Sequence, residues 1–285
     1  MKKFMAFLSA LILSSMCAIP FSSCAKKDNG KLPVYLILGQ SNASGNGKIK
    51  DLPARYLNKE YGGVKIYCDG SANGAVRGSL TKVGTVSGQG SVSTDRFGVE
   101  IGLAEYFTEK NVEAGLIKCG FDGSSINLTN TAYGTWWTDI QDIPLNVIKC
   151  YDRFKTALVN AIDAYKSEGY DAEIKGVIWL QGESNAGNAS YADDLDKLIQ
   201  RLRADLAEPA LYFVAGTISY VGEGKYQSDC AVNLAVRALE EKPNCGYVES
   251  GRYSTDPNDP YHWTGKNFVK IGREFAEKLY NKTLK

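Results

Sequence analysis

Val34-Tyr-Leu-Ile-Leu-Gly39-Gln-Ser-Asn-Ala-Ser-Gly-Asn-Gly47 begins apolar and turns small and polar at Gly39. The unbroken apolar run from Val34 to Leu38 suits a strand buried on both faces. Its ending, Gly-Gln-Ser-Asn, sets Ser41 just past the carboxyl end of that strand. Open α/β sheets hold their ligands at such strand ends.

Outward from this strand the same alternation recurs. Val64 to Cys68 alternates like a half-exposed strand. Val99 to Lys110 reads as a helix with Leu103, Tyr106 and Phe107 on one side, and Ala114 to Cys119 as a core strand running into Gly-Phe-Asp-Gly-Ser-Ser (120–125). Residues 147–168 carry Phe154, Leu158, Ala161, Ile162 and Tyr165 at helical spacing before a stop at Gly169. Ile174 to Leu180 is a further strand. Ser190 with Asp193 opens a helix striped by Leu195, Leu198, Ile199, Leu202 and Leu206 and halted by Pro209. Leu211 to Ala215 and Gly246 to Glu249 are short strands with a helix, 229–240, between them. Thr264 opens a last helix bearing Phe268, Ile271, Phe275 and Leu279. Residues 69–96 are rich in Gly, Ser and Thr and too long for a plain connection, which predicts a cleft-forming insertion. Strands alternating with helices give a parallel sheet, here with five core strands, covered on both faces. With no repeat or linker in evidence, residues 32–285 read as one domain.

The first residues stand apart. Met1-Lys2-Lys3 is a positive start, Phe4 to Phe21 is apolar, and Phe-Ser-Ser-Cys closes the run at Cys24, as in an export signal. The ending resembles a bacterial lipobox, with phenylalanine in place of leucine. That resemblance implies removal of residues 1–23, acylation of Cys24, a tether over 24–31 and a membrane-anchored lipoprotein facing the periplasm or cell surface. An uncleaved anchor helix is the alternative; Pro20 and the polar Ser-Ser-Cys ending argue against it. The whole chain has 33 Lys and Arg against 32 Asp and Glu. Two of those lysines lie in the signal, leaving the remainder at −1. Such a near-neutral chain has no electrostatic footprint for nucleic acid. Of seven cysteines, five follow the lipobox. None has zinc-ligand spacing, and Cys230 with Cys245 is a possible envelope disulfide.

Three strand ends converge on one edge of a parallel sheet, bringing Ser41, Gly123 and Gln181 together. A serine hydroxyl needs a base to become a nucleophile. The chain's single histidine, His262, lies late in Asp-Pro-Tyr-His (259–262). His262 supplies the base, and Asp259 the carboxylate that holds its other ring nitrogen; Asp256 competes, with spacing favouring Asp259. The N–H groups of Ser41 and Gly123 and the Gln181 amide are candidate oxyanion donors. Together these features suggest a serine esterase.

Gly-Gln-Ser-Asn (39–42), Trp-Leu-Gln-Gly-Glu-Ser-Asn (179–185) and Asp-Pro-Tyr-His (259–262) resemble the conserved blocks of the SGNH hydrolase superfamily. They are closest to its sialate O-acetylesterase-like and acetylxylan esterase-like carbohydrate esterases. Phe-Gly-Val-Glu (97–100) is similar to a further block of that branch, with valine where proline is common. Phe-Asp-Gly-Ser-Ser (121–125) departs from the branch's Gly-Gly-Thr. The resemblance implies a three-layer, flavodoxin-like α/β/α fold. It also implies removal of O-acetyl groups from an acetylated carbohydrate through an acetyl-enzyme, with no metal or organic cofactor. Asn42 and Glu183 then stand behind the reacting groups. Trp136 and Trp137 are candidates to stack on sugar, and Arg96 and Arg252 to meet an acidic one. Two alternatives stay open: a less specific esterase or lipase acting on small acyl esters, and a surface glycan-binding lipoprotein without turnover.

Overall fold

A computed structural model describes residues 30–285 except 72–76, 86–88, 91–92, 140, 220, 223–224 and 227. The signal-like segment 1–23 and Cys24 lie outside the described residues. The main elements, in order, are β1 (Leu32–Gly39), α1 (Ser41–Ser44), β2 (Glu60–Gly70), β3 (Leu80–Gly84), α2 (Glu100–Glu109), β4 (Ala114–Gly120), α3 (Cys150–Ser167), β5 (Ala172–Leu180), α4 (Tyr191–Asp205), β6 (Tyr212–Gly216), α5 (Ala231–Arg237), β7 (Cys245–Val248) and α6 (Gly265–Thr283). A small hairpin, Thr255–Asp256 with Asp259–Trp263, precedes α6.

The sheet runs β7-β6-β5-β1-β4-β2-β3. All neighbours pair in parallel except β2 and β3, which are antiparallel. The five expected core strands are joined by β2, the alternating Val64–Cys68 segment, and by the edge strand β3. The latter lies inside the Gly/Ser/Thr-rich insertion, where Leu-Thr-Lys-Val-Gly carries too short an alternation to stand out.

Side-chain direction divides the core into two layers. Val34, Leu36 and Leu38 of β1 point toward α3, α4 and α5, where they join Phe154, Trp179, Leu195 and Phe213. Tyr35 and Ile37 point the other way, with Phe107 of α2 and Phe268 and Phe275 of α6. A strand sandwiched this way must be apolar on both faces, which is why its sequence does not alternate. The expected α/β/α layering therefore holds.

Helix ends follow local chemistry. Gly169 (φ +85°) ends α3: its N–H donates to Lys166 O and that of Tyr170 to Tyr165 O, both at 3.0 Å. The Tyr165 and Tyr170 rings meet edge-on at 6.3 Å, completing a Schellman motif. Ser190 and Thr264 stand at the start of α4 and α6, yet neither hydroxyl bonds a helix N–H. The Ser190 hydroxyl donates to Asp194 Oδ2 instead, at 2.8 Å. Helices α2 and α6 touch backbone to backbone. A Cβ at Gly102 would stand 2.0 Å from Val269 O, and one at Gly272 2.1 Å from Val99 O.

All five cysteines among the described residues are free thiols. Cys230 leads into α5 and Cys245 opens β7, so the envisaged Cys230–Cys245 disulfide is not formed.

Candidate active site

Register brings the site together. Gly39, the last residue of β1, aligns with Gly120 of β4 on one side and Leu180 of β5 on the other. The three strands therefore deliver their following loops to a common level. At Gly39 (φ +135°) a Cβ would lie 2.1 Å from Leu180 O, so only glycine fits there. The Gln40 N–H then donates to Leu180 O at 2.8 Å, and the chain turns into the single-turn helix α1. Ser41 is its first residue, with only 7% of its surface exposed.

The hairpin before α6 brings the histidine back. Ser41 Oγ lies 2.7 Å from His262 Nε2, and His262 Nδ1 lies 2.6 Å from Asp259 Oδ2. The remaining Asp259 oxygen, Oδ1, accepts the N–H of Tyr261 at 3.2 Å. Asp256 is committed elsewhere, its Oδ2 accepting from Lys48 Nζ at 2.8 Å. Its hydrogen bond and ion pair with Lys48 hold the half-buried Asp256 carboxyl below its ordinary value. Of the two candidate acids, the structure joins Asp259 to His262.

Asn42 and Glu183 stand directly behind. The Asn42 amide donates from Nδ2 to Glu183 Oε1 at 2.6 Å and to Tyr261 O at 3.0 Å. One side chain thus ties α1, the loop after β5 and the histidine hairpin together. Burial pushes the Glu183 carboxyl above its ordinary range, opposed by hydrogen bonding, including that from Asn42, and by the nearby His262. Its Oε2 is buried without a partner among the described residues.

Two backbone donors are unengaged. Ser41, as the first residue of α1, has no helical acceptor for its N–H. Among the described residues no hydrogen bond uses the N–H of Gly123 either. Gly123 (φ +70°) is fixed through its carbonyl, which accepts the Ser184 hydroxyl at 2.9 Å.

Two expectations need correction. Gln181 is fully buried. Its Nε2 donates to Ser124 O at 3.1 Å and to Asn185 Oδ1 at 2.7 Å, while its Oε1 accepts from Tyr191 OH at 2.9 Å. Both amide hydrogens are spent, leaving none for an oxyanion. Trp136 is a core residue, 1% exposed, packed edge-on against Trp179 at 5.2 Å. Its Nε1 donates to Gly39 O at 3.2 Å and Ser124 Oγ at 3.0 Å, so it braces the end of β1 rather than meeting a sugar. Trp137, half-buried, has Lys197 over its ring at 5.2 Å and donates to Asp142 at 3.3 Å.

Other polar residues prove important in framing the site. Gln40 Oε1 accepts the N–H of Gly182 at 3.1 Å and of Ser184 at 3.4 Å. Asn46 Nδ2 donates to Ser41 O at 3.1 Å, and Asn46 O accepts from Arg96 Nη1 at 2.8 Å. Arg96 therefore stands one residue behind the serine turn, whereas Arg252 is bound to Glu274 and Tyr253. Only the strand-end position of Gln40 and Asn46 hints at these tasks in the sequence. Beneath them Lys118 Nζ and Glu100 Oε2 form a fully buried ion pair at 2.8 Å. Glu100 Oε1 accepts the Gly98 N–H at 2.7 Å, and Gly98 lies against Gly45, the residue that ends α1.

Solved structures share this architecture. A protein of Arabidopsis thaliana aligns with a TM-score of 0.64 at 18% identity, over 89% of this chain and 99% of that one. NanS aligns with a TM-score of 0.60 at 15% identity, over 88% and 97%. A carbohydrate acetylesterase of Xanthomonas citri aligns with a TM-score of 0.57 at 19% identity, over 88% of this chain but 56% of that one. At these identities the likeness speaks to the fold. No curated protein matches the chain in sequence. The profile described as carbohydrate esterase, sialic acid-specific acetylesterase matches residues 31–281, so the chain belongs to that family of carboxylic ester hydrolases.

Proposed function

We propose that the protein removes O-acetyl groups from a carbohydrate with Ser41 as nucleophile, His262 as general base and acid, and Asp259 as the carboxylate orienting the imidazole. Ser41 Oγ attacks the acetyl carbonyl while His262 Nε2 takes its proton. The N–H groups of Ser41 and Gly123 receive the oxyanion. Collapse breaks the ester bond, and His262 returns the proton to the departing sugar hydroxyl. Water, deprotonated by His262, then attacks the acetyl-serine and releases acetate and free Ser41. Asp259 stabilises the imidazolium formed in both halves.

The observation that carries this reading is the unbroken Ser41–His262–Asp259 relay at 2.7 and 2.6 Å. The test is acetate release by purified protein from a simple acetyl ester and from a panel including O-acetylated sialic acid and acetylated xylan. Activity lost in both Ser41→Ala and His262→Ala, with folding intact, is the expected result. A folded wild type that releases no acetate from any of them overturns the reading.

The sequence of residues 1–24 supports a second proposal: export and acylation at Cys24. Labelled fatty acid should enter the wild-type protein and not Cys24→Ala; equal labelling, or none, would reject the anchor.

A further inference from the structure

Among the residues whose burial is described, two aromatic side chains are exposed: Tyr133 at 66% and Tyr261 at 48%. Tyr133 lies against Gly123, and Tyr261 is bonded through its backbone to Asn42 and Asp259. We propose that these two rings form an aromatic clamp that receives the sugar ring carrying the acetyl ester. This rests on Ser41 being the nucleophile, as proposed above.

The Tyr133 ring occupies the face of Gly123 where another residue would carry a side chain: a Cβ there would meet its Cγ and Cδ2 at 2.9 Å. Gly123 thus combines a left-handed backbone with a flat surface for the ring. The base beneath Tyr133 is firm. Gly134 O accepts the Ser125 N–H at 3.0 Å, and buried Thr135 donates from Oγ1 to Asn127 O at 2.8 Å. Tyr261 is fixed through its own backbone. Its N–H is held by Asp259 Oδ1 and its carbonyl by Asn42 Nδ2, while its ring stays in solvent.

Tyr133 therefore rests its ring on Gly123, and Tyr261 is presented by backbone anchored to Asn42 and Asp259. A tyrosine offers a large apolar face and a polar tip with few rotors to freeze. A pyranose has matching chemistry, with apolar C–H faces and polar edges. Ligand sites combine such apolar walls with a few directed polar groups. The rings take over the stacking task first expected of Trp136, which is buried.

The test uses the full chain with Tyr133→Ala, Tyr261→Ala, and the ring-keeping Tyr133→Phe and Tyr261→Phe. The kcat/KM for an O-acetylated sialic acid and an acetylated xylobiose is compared with that for ethyl acetate, which has no ring to stack. We expect each alanine variant to lose about tenfold on at least one sugar ester, chiefly through KM, and at least five times more than on ethyl acetate. The phenylalanine variants should recover most of that loss. Equal losses on sugar and ethyl esters, or none on either sugar, would overturn the clamp. Calorimetric binding of the same two sugars to Ser41→Ala protein gives a reading without turnover. There the clamp predicts binding of at least one sugar, weakened about tenfold on adding Tyr133→Ala. Absence of binding to either sugar, or binding unchanged by Tyr133→Ala, would overturn it. A wild type inert toward all three esters, with sugar binding still dependent on Tyr133, would sink the esterase reading and leave the clamp standing.

Discussion

His262 Nε2 lies 2.7 Å from Ser41 Oγ although 221 positions separate the two residues. The serine is positioned by the end of a central strand, the histidine by its neighbour in the hairpin. Trp263, 2% exposed, packs edge-on against Phe268 of α6 at 5.4 Å and donates from Nε1 to Ser219 Oγ at 2.8 Å. Helix α6 is locked to α2 through Gly102 and Gly272, so the hairpin rises from a fixed base. The imidazole is thus preorganised by packing on one flank and by Asp259 on the other.

That arrangement distinguishes two nearby aspartates. Asp259→Asn keeps the shape but reverses the hydrogen-bonding requirement at Nδ1, favouring the wrong tautomer. A fall in kcat of about 10²–10⁴ is expected, with KM little changed. Asp256→Asn removes a partly exposed contact to Lys48 that does not reach His262, and should alter kcat by less than about threefold, as such ion pairs contribute little. Steady-state kinetics of the two variants side by side decide the matter. Equal effects would remove Asp259 from its proposed role.

Glu183 makes a prediction about pH. Burial raises its carboxyl in the folded protein above its unfolded value, which is about 4.3 in model peptides. Between those values the folded state holds a proton that the unfolded chain has released, so stability falls as pH rises through the window. The contribution is complete below the unfolded pKa and gone above the folded one. Glu183→Gln retains an acceptor for Asn42 and cannot titrate. Urea midpoints measured from acid to neutral pH should show the wild type losing ground to the variant as pH rises. A difference that stays constant with pH would refute the assignment.

The buried pair Lys118–Glu100 supports the turn after Ser41 from below, and its removal should be felt unevenly. Glu100→Gln strands a lysine cation with 0% exposure and should cost about 3–5 kcal/mol. The double change Lys118→Met with Glu100→Leu leaves no stranded charge and should be distinctly more stable than Glu100→Gln. It also gives up the acceptor for the Gly98 N–H, so the kcat of the folded double variant should fall as the Gly45–Gly98 contact loosens. Denaturant unfolding with parallel kinetics reads both effects; a double variant no more stable than Glu100→Gln would show that the stranded lysine charge is not what destabilises the single variant.

Much of this was legible in the chain because buried strands announce themselves. The run Val34–Leu38 identifies the centre of the sheet, the strand-end motif places Ser41 at its edge, and the late Asp-Pro-Tyr-His supplies Asp259 and His262. The edge strand β3 was hidden because its insertion-like composition masks a five-residue pairing segment. Trp136 misled for another reason. Aromatic residues in a loop look like ligand platforms, but the loop folds Trp136 inward beneath Gly39. Tyr133 carried no signal of its own, since its position over Gly123 depends on tertiary folding of that same loop. For Gln181, proximity in sequence to a strand end could not say which way the amide would turn.

The turn taken by Gln181 gives the last prediction. An amide aimed at the oxyanion would support the transition state, and its loss would cost about 10²–10³ in kcat with little change in stability. The structure instead has Gln181 joining Ser124, Asn185 and Tyr191 inside the protein, where removing one member leaves the others unsatisfied. Gln181→Leu should therefore destabilise the fold, by about 1–3 kcal/mol for each stranded polar group. The kcat of the molecules that remain folded should fall less than about tenfold, since the proposed donors Ser41 and Gly123 stay in place. Unfolding by urea and active-site titration of the folded fraction measure the two quantities separately. A stable variant with kcat reduced a hundredfold would mean that the amide swings to the substrate during reaction, and the internal network would then be a resting arrangement.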